Sequence, residues 1–184
     1  MPQEQTRAIV TIGALGAISI LLGWTHWGFI PWFGGVSLTI MHVPVIVGAI
    51  LEGPISGLVI GLIFGVFSMI QAAIALTGPT DIWFTNPLLS FVPRLLIGPM
   101  AWLAWQGLKR WPIAGMVAAG LAGSITNTVL VLGIIGLLGY LPWAATGTVA
   151  IINGLPEAVV ATIITVAVVV VWKQIEIGHR RVTL

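Results

Sequence analysis

Long apolar runs, separated by short breaks of Gly, Pro, Trp and charge, occupy most of this chain. Each run is near the ~20 residues that an α-helix needs to cross a hydrocarbon core. The pattern predicts six membrane-spanning helices at about 8–23, 37–51, 54–76, 86–108, 112–139 and 148–172. The second is short for a crossing, and the tight break at Glu52, Gly53 and Pro54 suits a corner between two antiparallel helices. A five-helix reading merges 37–76 into one element. The expected fold class is all-α: a compact bundle of six transmembrane helices forming a single domain over residues 1–184.

Charge decides between the two counts. With six spans and both termini inside, Arg7, Lys109, Arg110, Lys173, Arg180 and Arg181 fall on the cytoplasmic side. The external loops at about 24–36, 77–85 and 140–147 then carry no Lys or Arg, which is the positive-inside asymmetry. Composition agrees: 58% of residues are hydrophobic and 7% charged, too few charges to clothe a soluble domain, so the lipid bilayer is the solvent. The segment Met1–Arg7 is short and polar and shows no A-x-A cleavage site, as expected for a retained first helix.

Several functions are excluded or weakened by what is missing. A formal charge of +2, scattered over segment ends, makes no nucleic-acid surface. The absence of cysteine removes thiolate nucleophiles and Cys-based metal sites. No phosphate loop ending in GK[ST] is present, so the chain carries no ATPase of its own. Neither H-E-x-x-H nor G-x-S-x-G occurs and the three histidines are far apart, so no metal, cofactor or catalytic residue is predicted and the protein is not read as an enzyme. Intramembrane catalysis by His42, Glu157 and Arg94 ranks last for want of a nucleophile.

The candidate chemistry lies in the polar residues inside the spans. Arg94 is the one Lys or Arg away from a segment end, and a charge at bilayer depth costs roughly 2.5–3.5 kcal/mol on insertion scales, so it survives where it pairs, faces a cavity or functions. His42 and Gln71 lie about five residues inward of their outer ends, Asn86, Ser90 and Arg94 within about eight, Thr126, Asn127 and Thr128 about ten, Asn153 and Glu157 about five to nine. All fall in the outer half, whereas the inner half holds nothing stronger than Ser56, Thr162 and Thr165. A channel lines its whole route with polar groups, and a receptor needs a pocket open on one side. Asn86, Ser90 and Arg94 recur at a spacing of four, as do Asn153 and Glu157, giving two polar stripes at matching depth. Arg94 and Glu157 are expected to form an ion pair, which serves either to lock two helices or to hold a ligand. His42 and Gln71 are either satisfied core residues or further ligand contacts.

Two other patterns admit two uses each. The external loops are rich in aromatics, with Trp24, Trp27, Phe29 and Trp32 in the first alone, and these form either an interfacial belt or a lid closed over a site by Trp27 or Trp32. Gly53, Gly57, Gly61 and Gly65 recur every four residues, and Gly13 with Ala17 makes a second small pair. Such faces let helices approach closely, within the bundle or against another membrane subunit.

The runs TIMHVPVIVGAILEGP (Thr39–Pro54), NPLLSFVPRLLIGP (Asn86–Pro99), TNTVLVLG (Thr126–Gly133) and INGLPEA (Ile152–Ala158) together resemble the S components of energy-coupling factor (ECF) vitamin transporters, in their pantothenate-type branch. The resemblance covers nearly the whole chain. It implies a prokaryotic cell-membrane protein that binds a water-soluble vitamin or precursor from outside, pantothenate in first place. It also implies partners, a membrane coupling subunit and two cytosolic ATPases, with Gly13 and Ala17 matching the small-residue docking motif of the first helix. In that picture Arg94 binds an anionic or carbonyl group, Asn86, Ser90, Asn127 and Asn153 bond other polar atoms, and Glu157 leaves room for a pyridoxine-type B6 vitamer as the alternative substrate. A membrane scaffold or assembly factor without a ligand is the competing class.

Overall fold

Proline at or near the start of most segments sets the helix boundaries, because its missing N–H is harmless in a first turn and its fixed φ suits a helix. The computed structural model describes residues 2–31, 37–76 and 80–182, and it is all-helical apart from one small hairpin. The elements are α1 (Pro2–Trp24), β1 (Phe29–Pro31), β2 (Ser37–Thr39), α2 (Val43–Glu52), α3 (Pro54–Ile74), a 3-10 turn (Asp81–Thr85), α4 (Pro87–Gly107), α5 (Pro112–Leu137), α6 (Trp143–Val149), a π turn (Ala150–Gly154) and α7 (Leu155–Val182).

Among the described residues, five stretches are long and apolar enough to cross a membrane: Gln3–Trp24, Pro54–Ile74, Pro87–Gly107, Pro112–Leu137 and Trp143–Lys173. The predicted second span is different. It begins as β2, paired antiparallel with β1 through Phe29↔Thr39, and continues as the ten-residue α2, only about 15 Å long at 1.5 Å per residue. Its apolar residues point in every direction, so it is buried on all sides and needs no lipid: Val45, Ile46 and Ala49 are inaccessible, and α1, α3, α4, α5 and α7 surround it. The corner after it is made by Gly53, whose φ of +93° only glycine adopts without strain, followed by Pro54.

Arg7 Nε lies 2.9 Å from Glu52 Oε1, so the α2–α3 corner returns to the end of the bundle where α1 starts. At the opposite end, Gln71 Nε2 donates to the Gly23 carbonyl and ties the last turn of α3 to that of α1. Lys173 Nζ sits 4.3 Å from the Trp105 ring centroid, which pairs α7 with the last turn of α4.

The glycine stripe of α3 packs internally. α3 crosses α4 where Gly57 meets Gly98, and a Cβ on Gly61 would collide with the Arg94 carbonyl oxygen. Backbone-to-backbone approach of this kind holds the helix that carries Arg94. On α1, by contrast, Gly13 has nothing within 4 Å of a Cβ position and Ala17 is exposed.

Candidate binding site

A cavity of about 650 Å³ opens toward the hairpin end of the bundle, within the ~300–1,000 Å³ typical of small-molecule sites. Its wall is built by α3, α4, α5, the π turn and α7, and its mouth by the hairpin, the 3-10 turn and the α5–α6 connection.

Arg94 enters this cavity because of its neighbour. Pro93 has no N–H to give to the carbonyl four residues back, that of Leu89, and a bare carbonyl inside a membrane is costly. Arg94 Nη1 donates to that oxygen at 2.7 Å, folding the side chain along its own helix. The guanidinium then lies between two rings, 5.2 Å from the Phe64 centroid and 4.9 Å from that of Phe84, a geometry that supports a desolvated cation. Its Nε has no hydrogen-bond partner among the described residues.

The predicted ion pair does not form. No N···O approach within 4 Å joins Arg94 to Glu157 among the described residues, although both line the cavity. Each is held locally instead. Glu157 Oε2 accepts the Thr39 N–H at 2.9 Å, which fastens β2 to α7, and Glu157 Oε1 lies 4.0 Å from His42 Nδ1.

Asn127 lines the cavity from α5, with an Oδ1 that has no partner among the described residues. Asn153 enters from the π turn. Pro156 cannot donate to the carbonyl four residues back, Ile152, and the helix widens there, turning Asn153 inward to 7% exposure. Gln71 lines the cavity while its amide nitrogen holds the Gly23 carbonyl at 3.1 Å.

Four expected contacts lie elsewhere. Asn86 caps α4, its side chain accepting the Leu88 N–H at 3.0 Å, and Ser90 donates its hydroxyl to the Phe84 carbonyl; neither lines the cavity. Of the stripe at spacing four, only Arg94 reaches the cavity, because Asn86 satisfies a backbone N–H in the first turn of α4 and Ser90 a carbonyl of the 3-10 turn before it. Trp27 is 81% exposed and does not line the cavity. Trp32 lies outside the described residues. His42 is fully buried beneath Glu157 and does not line the cavity. The aromatic mouth comes from Phe29, Trp83 and Phe84, with Trp83 stacked on Tyr140 at 5.4 Å. Ser68, Thr39 and Asp81 complete the lining without having been foreseen as contacts. Ser68 is three residues before Gln71 on one helix face, a readable signal; Thr39 ends a short strand and Asp81 starts the 3-10 turn, and their placement needs the folded chain.

Apolar crossing helices around one polar recess define a membrane protein that receives a small polar molecule. The model of the family described as "ECF transporter, substrate-specific component" matches residues 7–169, and the chain belongs to that family. It is a multi-pass cell-membrane protein and a substrate-binding component of a transporter, which is not an enzyme family. It is 33% identical over 157 residues to the pantothenic acid transporter PanT of Lactococcus lactis subsp. cremoris, covering 75% of this chain and 79% of that protein. It is 30% identical over 138 residues to the pantothenate transporter PanT of Leuconostoc mesenteroides subsp. mesenteroides, covering 70% and 68%.

Proposed function

We propose that this protein captures pantothenate from outside the cell with high affinity and hands it to a membrane coupling subunit driven by two cytosolic ATPases. The observation that carries the reading is Arg94: a buried guanidinium facing a cavity, out of contact with the nearest carboxylate. Such a cation is a receptor for a carboxylate, and a charge-assisted pair in that setting is strong. Asn127, Asn153, Gln71 and Ser68 offer amide and hydroxyl groups in the same cavity, which suits the amide and two hydroxyls of pantothenate. The similarity to two pantothenate transporters agrees with this chemistry.

In the membrane, β2 and α2 together make the second of six passes, supported by the Arg7–Glu52 contact, with both termini cytoplasmic and the cavity facing out. Gly13 and Ala17, open on α1, are the coupling-subunit contact. A pyridoxine-type vitamer is the second reading, favoured by one fact: Glu157 lines the same cavity without an arginine in contact.

Isothermal titration of the purified protein with pantothenate and a B6 vitamer decides between them. Pantothenate binds, and Arg94→Ala weakens it at least about thirtyfold, the equivalent of about 2 kcal/mol for a lost buried charge partner. A folded Arg94→Ala protein that keeps its pantothenate affinity, or a wild type that binds only the vitamer, overturns the assignment.

A further inference from the structure

Among the described residues, His42 is a buried ionisable side chain that does not line the cavity, so the proposed ligand contacts give it no task. It precedes α2 as its N-cap residue, yet makes no capping hydrogen bond. Its ring is inaccessible, and neither Nδ1 nor Nε2 has a partner among the described residues. A neutral imidazole carries one donor and one acceptor, and leaving both unmet in a bundle core is destabilising. Nδ1 points at Glu157 Oε1 from 4.0 Å, beyond a hydrogen bond but within about 1 Å of one. An arrangement so close to pairing, and unpaired, suggests that the pair belongs to another state of the site.

Charge counting identifies that state. Among the described residues, the charged or titratable groups that face His42 are Glu157 on α7 and Arg94 on α4. The helices α3 and α5 contain no Asp, Glu, Lys, Arg or His, and those of α1, Glu4 and Arg7, lie toward its far end. His26 and Asp81 line the cavity at its mouth, on segments outside the helices. With the cavity empty, Arg94 and Glu157 sum to zero around a neutral His42. An arriving carboxylate engages Arg94 and leaves Glu157 as an uncompensated buried charge, which low dielectric makes expensive. One proton on His42 restores neutrality, and it converts the 4.0 Å approach into an imidazolium–carboxylate ion pair.

We propose that His42 is a proton-binding site filled together with the anionic ligand, so that the protein binds its substrate as ligand carboxylate plus one proton. The proton comes from water, bonds to the imidazole and is released there again when the carboxylate leaves Arg94. The inference rests on the anion-binding role of Arg94 proposed above. It makes the affinity for an anion pH-dependent in a fixed sense: where empty His42 is neutral and loaded His42 is charged, Kd rises about tenfold for each pH unit.

The test is titration calorimetry of the full-length purified protein with pantothenate, at one pH in buffers of different ionisation enthalpy, repeated from pH 6 to 8.5. The slope of observed enthalpy against buffer enthalpy counts protons taken up. About one proton per ligand at neutral pH, with Kd rising as pH rises, is the expected result for the wild type, and His42→Gln brings the count to near zero. Binding with no proton uptake at any pH overturns the inference and leaves the ligand reading standing. One proton still taken up by a folded His42→Gln protein also overturns it, since the proton then resides on another group. No pantothenate binding at all overturns the ligand reading and this inference with it. The wild-type count decides even where the variant does not fold.

Discussion

Helices α1 and α3 carry the same sequence device, small residues four apart, and use it in opposite ways. On α3, Gly57, Gly61 and Gly65 lie against the backbone of α4, close enough that a methyl group at Gly61 would collide with the Arg94 carbonyl. On α1, Gly13 meets nothing and Ala17 is open to the membrane. The polar residues divide in the same way. Asn86 is used up by the backbone it caps, whereas Asn127 keeps an unpartnered oxygen inside the cavity. Groups that the fold satisfies hold the structure together, and groups that it leaves open are available to ligand and partner.

Breaking the α3 side of this comparison has the largest effect. Gly61→Leu forces α3 away from α4 at the residue that carries the guanidinium, and overpacking a close contact costs about 1–3 kcal/mol or more. The expected outcome is a protein that fails to accumulate in folded form or has lost ligand binding, measured by size-exclusion profile and titration, whereas Gly13→Leu behaves as wild type in both. Similar yields, melting points and affinities for the two variants would erase the distinction. On the α1 side, Gly13→Trp with Ala17→Trp places two large rings where another helix must approach. Binding by the purified protein is retained and cellular uptake is lost; normal uptake would show that this face contacts no partner.

Much of the fold was legible because bilayer thickness and hydropathy constrain helices strongly. The spans predicted at 54–76, 86–108 and 112–139 match α3, α4 and α5 to within two residues at each end. The second span was less legible: an apolar run of about fifteen residues reads as one helix, whereas the chain enters it as a strand and continues as a short helix buried among five neighbouring helices. Of the candidate contacts that depth and polarity single out, Arg94, Gln71, Asn127, Asn153 and Glu157 line the cavity. Depth does not reveal what each side chain bonds to. Asn followed by Pro is the signature of a cap and the first helical position, and it assigned Asn86 to its helix before any ligand. The mouth of the cavity is the least legible part, since His26 lines it and Trp27 does not, a choice set by a loop in which His26 itself takes φ +60°.

The smallest effects separate the two asparagines. Removing a side-chain N-cap costs about 1 kcal/mol, a shift of roughly 2–4 °C in melting temperature for a chain of this size. Asn86→Ala is therefore expected to lower the melting point by that amount while the Kd for ligand stays within about twofold of wild type. Asn127→Ala gives the converse. Its Oδ1 has no partner among the described residues and its amide otherwise only assists Glu157, so deleting the side chain changes the melting point of the empty protein less than Asn86→Ala does, whereas the loss of one buried hydrogen bond to ligand weakens binding about tenfold. Measuring both quantities on both variants tests the comparison at its finest point. An Asn86→Ala protein with normal stability and impaired binding would return that side chain to the site and remove the line drawn between the groups the fold uses and those it leaves open.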